Sequence, residues 1–179
     1  MACNAKGSKD KNTFSLLLEA LNMKKLPRAG WMVERAPHES LADHSFSTAL
    51  ISLALARMEG LKEHEEHALL RAALLHDLHE ARVGDLSRLQ RKYAIVDYRK
   101  AEREMLSATH FEEELHLLAD EKLAALAKDA DKLDMLFQAI EYANAGNKNM
   151  QRFIESALGQ IKSQSGKKLA KMALSRLKK

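Results

Sequence analysis

Ala72-Ala-Leu-Leu-His76-Asp77-Leu-His-Glu80 is the stretch on which the reading of this chain turns. Four apolar residues run straight into an imidazole and a carboxylate. Burying that pair without partners costs roughly several kcal/mol. The run therefore reads as a helix that enters a core and ends where His76 and Asp77 bind something. Adjacent helix residues diverge by about 100°, so the two side chains straddle a ligand near the helix end. Glu80 follows three residues after Asp77 and returns to the same face. A carboxyl there is placed to exchange a proton with substrate or water.

Two more segments supply matching side chains. His44 lies in Glu39-Ser-Leu-Ala-Asp-His44-Ser-Phe, and Asp131 in Lys128-Asp-Ala-Asp131-Lys-Leu-Asp-Met. Two imidazoles and two carboxylates suit one divalent ion: Mn, Co, Zn or Fe, with Mg a further candidate. Such a set leaves positions open for water and substrate. The ion can then lower the pKa of water and polarise a phosphoryl oxygen. A structural zinc site would draw on thiolates, and the chain has only Cys3. Taken singly, each residue has another reading. His44 suits a satisfied helix-face histidine, and Asp131 suits an ion pair with Lys132 or Lys128. His76 and His79, at i and i+3, are an alternative metal pair. His38, His64, His67, His110 and His116 read as surface residues.

The 179 residues fit one domain with a sizeable core. Hydrophobic residues reach 46% but aromatics only 5%, with two prolines and seven glycines, which favours helices over a sheet. The fold class is all-α, a single helical bundle over 13–179 preceded by a loose polar tail, 1–12. Phe14, Leu17, Leu18 and Leu21 mark a first helix. Lys24–Pro37 is irregular and basic, with Arg28 and Arg35, and reads as a substrate-binding loop or as an ordinary cover over the core. Ser40, with Asp43 three residues on, caps a helix that stops at Gly60. Further helices are expected over Leu61–His79, Val96–Thr109, Glu112–Ala127 and Asp129–Ala145. Leu74 and Leu75 are expected to be buried, Gly84 to re-aim the chain, and one or two helices to follow Met150.

Net charge +4 and a pI near 9.1 suit anionic small substrates. The basic C-terminal stretch carries an apolar stripe (Leu169, Ala173, Leu174, Leu177) and no aromatic interleaving. It reads as a packed helix with a solvated face, and nucleic acid is not expected as a partner. The lone Cys3 excludes an intrachain disulfide and fits a reducing compartment. The longest apolar stretch, about Thr48–Ala56, is far short of the roughly 20 residues of a membrane span. No signal peptide is visible and no membrane association is expected, so a cytoplasmic location follows.

These residues together resemble the HD-domain metal-dependent phosphohydrolase superfamily, whose pattern is H…HD…D on a helical bundle. Arg28-Ala-Gly-Trp31, Glu39-Ser-Leu-Ala-Asp-His44-Ser, His76-Asp-Leu-His-Glu80-Ala, Gly84-Asp85-Leu, Asp129-Ala-Asp131-Lys-Leu-Asp-Met and Glu141-Tyr142 are similar to its 5′-deoxynucleotidase branch. The resemblance covers roughly residues 14–146. It implies a helical fold, usually a homodimer, and metal-dependent removal of phosphate from deoxyribonucleoside 5′-monophosphates. By position it makes His44, His76, Asp77 and Asp131 the metal ligands, and Glu80 the proton-transfer carboxylate. Asp85 becomes the reader of the sugar 3′-hydroxyl and Arg28 the phosphate-loop arginine. Characterised bacterial members have a tryptophan directly after that arginine. Here Ala29 follows Arg28, and Trp31 is either the sugar contact or a packing residue. A phosphodiesterase or nucleoside triphosphate hydrolase on the same scaffold is the second enzymatic expectation. A nucleic-acid-binding or regulatory helical module is the non-enzymatic one.

Overall fold

The computed structural model describes residues 2–116 and 120–178. The side chains of residues 2–6 and 116, Cys3 and His116 among them, lie outside that description. The helices are α1 (Ala2–Ala20), α2 (Ala29–Val33), α3 (Leu41–Met58), α4 (Glu63–Leu75), α5 (Glu80–Val83), α6 (Tyr98–Leu106), α7 (Glu121–Asn144), α8 (Gln151–Leu158) and α9 (Gln164–Leu174). No strand occurs among the described residues. The one extended pairing is an antiparallel bridge between Pro27 and Ser40, which ties the loop before α2 to the start of α3.

α7 is the axis of the bundle, and α3, α4, α8 and α9 pack on it. Leu123, Leu126, Ala130, Leu133, Leu136 and Ile140 repeat every three or four residues, so one face of α7 is apolar throughout and buried. Leu55 of α3 and Leu69 of α4 join them, as do Ile154 and Ala157 of α8 and Ala170 of α9. A second cluster, Leu16, Met23, Leu41, Leu78, Ala81, Met105 and Leu106, lies under α1, α5 and α6. α4 sends Leu69 into the first cluster, while Leu78 in the turn after it and Ala81 of α5 enter the second. His76 and Asp77 are thereby held at the seam between two apolar cores.

Local chemistry explains the boundaries. Ser40 and Asp43 form a reciprocal capping box at α3: the Ser40 hydroxyl accepts from Asp43 N at 3.1 Å, and Asp43 accepts from Ser40 N at 2.9 Å. Gly84 has φ +79°, a backbone region costly for other residues, and it lets the chain leave α5 sharply.

Several expectations are corrected. α4 ends at Leu75 rather than His79; residues 76–79 form turns, with Leu78 N and Glu80 N donating three residues back to Leu75 O and Asp77 O. Leu74 is exposed, because the apolar run is longer than the face the core covers. The helices expected over Glu112–Ala127 and Asp129–Ala145 are replaced by a short 3-10 turn (Glu112–His116) and the continuous α7. Nothing in Glu121–Asn144 breaks a helix, and Asp120 caps it by accepting from Lys122 N and Leu123 N. The stretch expected as a loose tail is helical from Ala2, with Asp10, Asn12 and Thr13 bonded to the chain around His110. Phe14, Leu17, Leu18 and Leu21 are exposed, while Leu16 is the residue of that helix that enters the core.

Candidate metal centre

Three helices deliver four side chains to one point. His44 projects from the first turn and a half of α3, and it is fully buried. His76 and Asp77 leave the C-terminus of α4, and Asp131 sits midway along α7. His44 Nε2 lies 3.2 Å from His76 Nε2, 3.5 Å from Asp77 Oδ2 and 3.5 Å from Asp131 Oδ1. His76 Nε2 lies 3.2 Å from Asp77 Oδ2.

The outer ring nitrogens explain what the inner ones must do. His76 Nδ1 is 2.8 Å from Ala73 O, a carbonyl that can only accept, so Nδ1 carries the hydrogen. His44 Nδ1 is 2.6 Å from Asp134 Oδ2 and donates to that carboxylate. In the neutral imidazoles both Nε2 lone pairs therefore face each other, with two carboxylates beside them. Such an arrangement of four acceptors requires a cation. Donor atoms around an ion with bonds of about 2.0–2.2 Å stand roughly 3.0–3.5 Å apart, which matches the spacing of His44 from its three neighbours, and His44, His76 and Asp131 bring ligand atoms within 4.8 Å of one another. The residues fit a divalent metal.

The electrostatics agree. Burial by itself would lower the His76 pKa, but the Asp77 hydrogen bond and the Asp77 and Asp131 charges raise it to about 9, so a proton stands in where a metal would. Burial would raise Asp77, yet His76, Arg28 and His44 hold it well below the usual carboxylate range. Asp131 is also lowered: burial opposes this, and Lys132, bonded to it at 2.7 Å, is the main cause. Arg28 Nη1 donates to Asp77 Oδ2 at 3.1 Å, which sets a guanidinium at the edge of the cluster.

Glu80 stands beside this cluster, 3% exposed. Burial and the nearby Asp77 and Asp85 charges push its pKa up to about 8, so it keeps its proton at neutral pH. Its Oε2 is buried without a hydrogen-bond partner among the described residues. Asp77, His79 and Glu80 also bring ligand atoms within 4.8 Å of one another. His79, however, turns its ring edge-on to Tyr98 and stands outside the His44–His76 pair.

Two expected substrate contacts look different in place. Trp31 is not at the site: it is a core residue, 4% exposed, packed against Tyr142 and Phe153, with its indole N–H bonded to Glu39. No face of the ring is left for a sugar. Asp85 Oδ2 accepts the Ala29 N–H at 2.8 Å, so this carboxylate anchors the loop that carries Arg28. Of the two further cations in that region, Arg35 is exposed beyond α2, while Lys132 is committed to Asp131.

Sequence reasoning missed Asp134 and Glu39. Asp134 orients His44, the supporting role carboxylates often take behind metal-bound histidines. The clue was the Asp131–Asp134 spacing of three on one helix. Glu39 is buried beside Asp134 and its pKa is pushed up to about 7, first by burial and then by the Asp134 charge. Nothing in its local sequence marked it as buried. His38, His64, His67 and His110 are exposed as expected.

Comparison with known proteins matches the HD domain to residues 20–173. The chain is 28% identical over 165 residues to 5′-deoxynucleotidase HDDC2 of Bos taurus, which spans 84% of this chain and 78% of that protein. It is 29% identical over 167 residues to 5′-deoxynucleotidase YGK1 of Saccharomyces cerevisiae, spanning 79% and 72%. A conserved hypothetical protein of Pyrococcus furiosus superposes with a TM-score of 0.73 at 32% identity, over 91% of this chain and 98% of that one.

Proposed function

Because this chain belongs to the HD-domain family, we propose that it is a metal-dependent phosphomonoesterase acting on nucleoside 5′-monophosphates. The carrying observation is the convergence of two imidazole lone pairs and two carboxylates on one point, with a protonated carboxyl next to it. The substrate class is supported by relatives that are 5′-deoxynucleotidases.

His44, His76, Asp77 and Asp131 would hold one divalent ion. Bound there, the ion supplies Lewis acidity toward a water and a phosphoryl oxygen. The chain's own groups do the rest. Arg28, fixed by Asp77, offsets charge that builds on the phosphoryl oxygens. Glu80 delivers its proton to the departing 5′ oxygen, and the resulting carboxylate can take one back from water. Asp134 keeps the His44 hydrogen on Nδ1 and so keeps Nε2 available. With Trp31 in the core, sugar discrimination falls to other groups.

We further propose a homodimer in the cytoplasm. The dimer is supported by the exposed stripe of Phe14, Leu17 and Leu18 on α1, continued by Leu21 just after it. Apolar stripes of this kind are uncommon on monomers. A purely monomeric mass in light scattering at micromolar concentration ends that part of the reading. No described helix is long and apolar enough to cross a membrane.

The test is phosphate release by metal-stripped protein resupplied with Mn²⁺, Co²⁺, Zn²⁺ or Mg²⁺, on paired deoxy- and ribonucleoside 5′-monophosphates. Metal-dependent release of phosphate and nucleoside, abolished in Asp77→Ala together with metal binding, is the expected result. Asp77→Ala protein that keeps stoichiometric metal removes Asp77 from the ligand set. Release of pyrophosphate or triphosphate from a nucleoside triphosphate, with monophosphates untouched, replaces the reading with the triphosphate hydrolase.

A further inference from the structure

Glu80 divides its surroundings into two sides. On one is Asp77, which brings a ligand atom within 4.8 Å of the Glu80 carboxyl. On the other are groups that water attack at phosphorus does not use. Arg91 Nη2 lies 3.8 Å from Glu80 Oε1 and 3.8 Å from Asp85 Oδ1. Arg91 Nε donates to Leu86 O at 2.8 Å, and the guanidinium sits 5.4 Å from the centroid of the Tyr98 ring. His79 also meets that ring, edge-on at 5.0 Å. The cation and the ring are thus held in place, although the Arg91 side chain is half exposed.

Two polar atoms here lack a partner among the described residues: Glu80 Oε2 and Tyr98 Oη, both buried as atoms. Buried polar atoms without partners are rare, and each marks a place where a ligand or water completes the bonding. A proton donor must touch the leaving oxygen. If phosphorus lies against the Asp77 and Arg28 side, whatever is bonded to that oxygen extends past Glu80 toward Arg91 and Tyr98.

We propose that Arg91 and Tyr98 form the leaving-group subsite, holding the nucleoside half of a nucleoside 5′-monophosphate. The proposal rests on the phosphomonoesterase reading above. The Tyr98 hydroxyl supplies a hydrogen bond to the leaving group. Arg91, already stacked on an aromatic face, offers a planar guanidinium on which a base can lie. Asp85 fixes the loop beneath them and faces Arg91 with its second oxygen.

The experiment compares two substrates of the same chemistry: a nucleoside 5′-monophosphate and ethyl phosphate, which has no group large enough to reach Tyr98. Tyr98→Phe and Arg91→Met are assayed on both, with metal content and thermal melts recorded for each variant. The expected result is a loss of about 10-fold in kcat/KM on the nucleotide for each variant, the scale of one lost hydrogen bond or stacking contact. The loss should fall mainly on KM; Tyr98→Phe should leave ethyl phosphate hydrolysis unchanged, whereas Arg91→Met, which also removes a charge 3.8 Å from Glu80, should lose more on the nucleotide than on ethyl phosphate. An active enzyme whose variants lose equally on both substrates, or on neither, overturns the subsite alone. A wild-type enzyme inert on both substrates with every metal overturns the phosphomonoesterase reading and the subsite with it.

Discussion

Glu80 is buried between two carboxylates, Asp77 and Asp85, and this environment keeps it protonated up to about pH 8 in the metal-free protein. A bound cation nearby moves that value down. The proposed proton transfer therefore predicts a kcat that falls on the alkaline side, with a limb at or below pH 8. Glu80→Gln should lower kcat by ~10²-fold or more while metal stays bound, the usual scale of general acid–base loss. Near-normal turnover with intact metal would remove Glu80 from the chemistry. Glu39 carries a separate pH dependence. Its folded pKa of about 7 exceeds its ordinary value of 4.5, so its neutral form is the one the fold favours. Its contribution is complete below pH 4.5, declines between 4.5 and 7, and is lost above 7. A shift of that size corresponds to roughly 3 kcal/mol at most. Glu39→Gln should flatten the fall in melting temperature of metal-free protein between pH 5 and pH 7.5. Parallel curves for variant and wild type would show that Glu39 does not set that slope.

Among the elements, α7 shows how one helix serves core and site together. Asp131 and Asp134 face the metal centre, Leu133 and Leu136 face the core, and Asp129 turns the other way to hold α9. Asp129 is 1% exposed and accepts from Lys162 N at 2.9 Å and Ser163 N at 2.7 Å. Gly166 passes so close that a Cβ would lie 2.9 Å from Asp129 Oδ2. Asp129→Ala leaves two backbone donors without partners. That costs roughly 2 kcal/mol or more, a drop of about 4–8 °C in a chain of this size. Gly166→Ala should also destabilise. A melting temperature unchanged in both variants would show that the α7–α9 joint does not limit stability. The sequence displayed the α3 cap, the stop at Gly60 and the metal-capable residues, because those are local signals or apolar runs interrupted by polar groups. It did not display the join of Glu112–Ala127 and Asp129–Ala145 into α7, since charged residues spaced along a helix mimic a boundary. Nor did it reveal the burial of Trp31, because the same Arg-Ala-Gly-Trp loop can turn its ring inward or outward. Tyr142 and Phe153, which decide that, lie more than a hundred residues downstream.

For the whole molecule, a metal held by the proposed ligands would cross-link α3, α4 and α7, elements far apart in the chain. The state of the centre without metal is set by a proton. His76 is held protonated to about pH 9 by the charges of Asp77 and Asp131, and only the neutral imidazole can ligate. Metal binding at neutral pH must therefore displace that proton. The expected outcome is release of about one proton per ion at pH 7.5. Metal affinity should rise by about tenfold per pH unit from 7 toward 9 and then level off, as linkage requires. Calorimetric titration of Mn²⁺ into stripped protein, in buffers of different ionisation enthalpy, measures the proton count directly. The same ion at about 100 times its dissociation constant should stabilise the fold by about 2.7 kcal/mol, raising the melting temperature by roughly 5–11 °C. His76→Ala should lose both effects, because it removes a ligand and the proton that competes for it. Tight binding with no proton released, and with affinity independent of pH, would mean that the two histidines already face each other neutral. The charge balance derived for the centre would then be wrong, even with the four ligands in place.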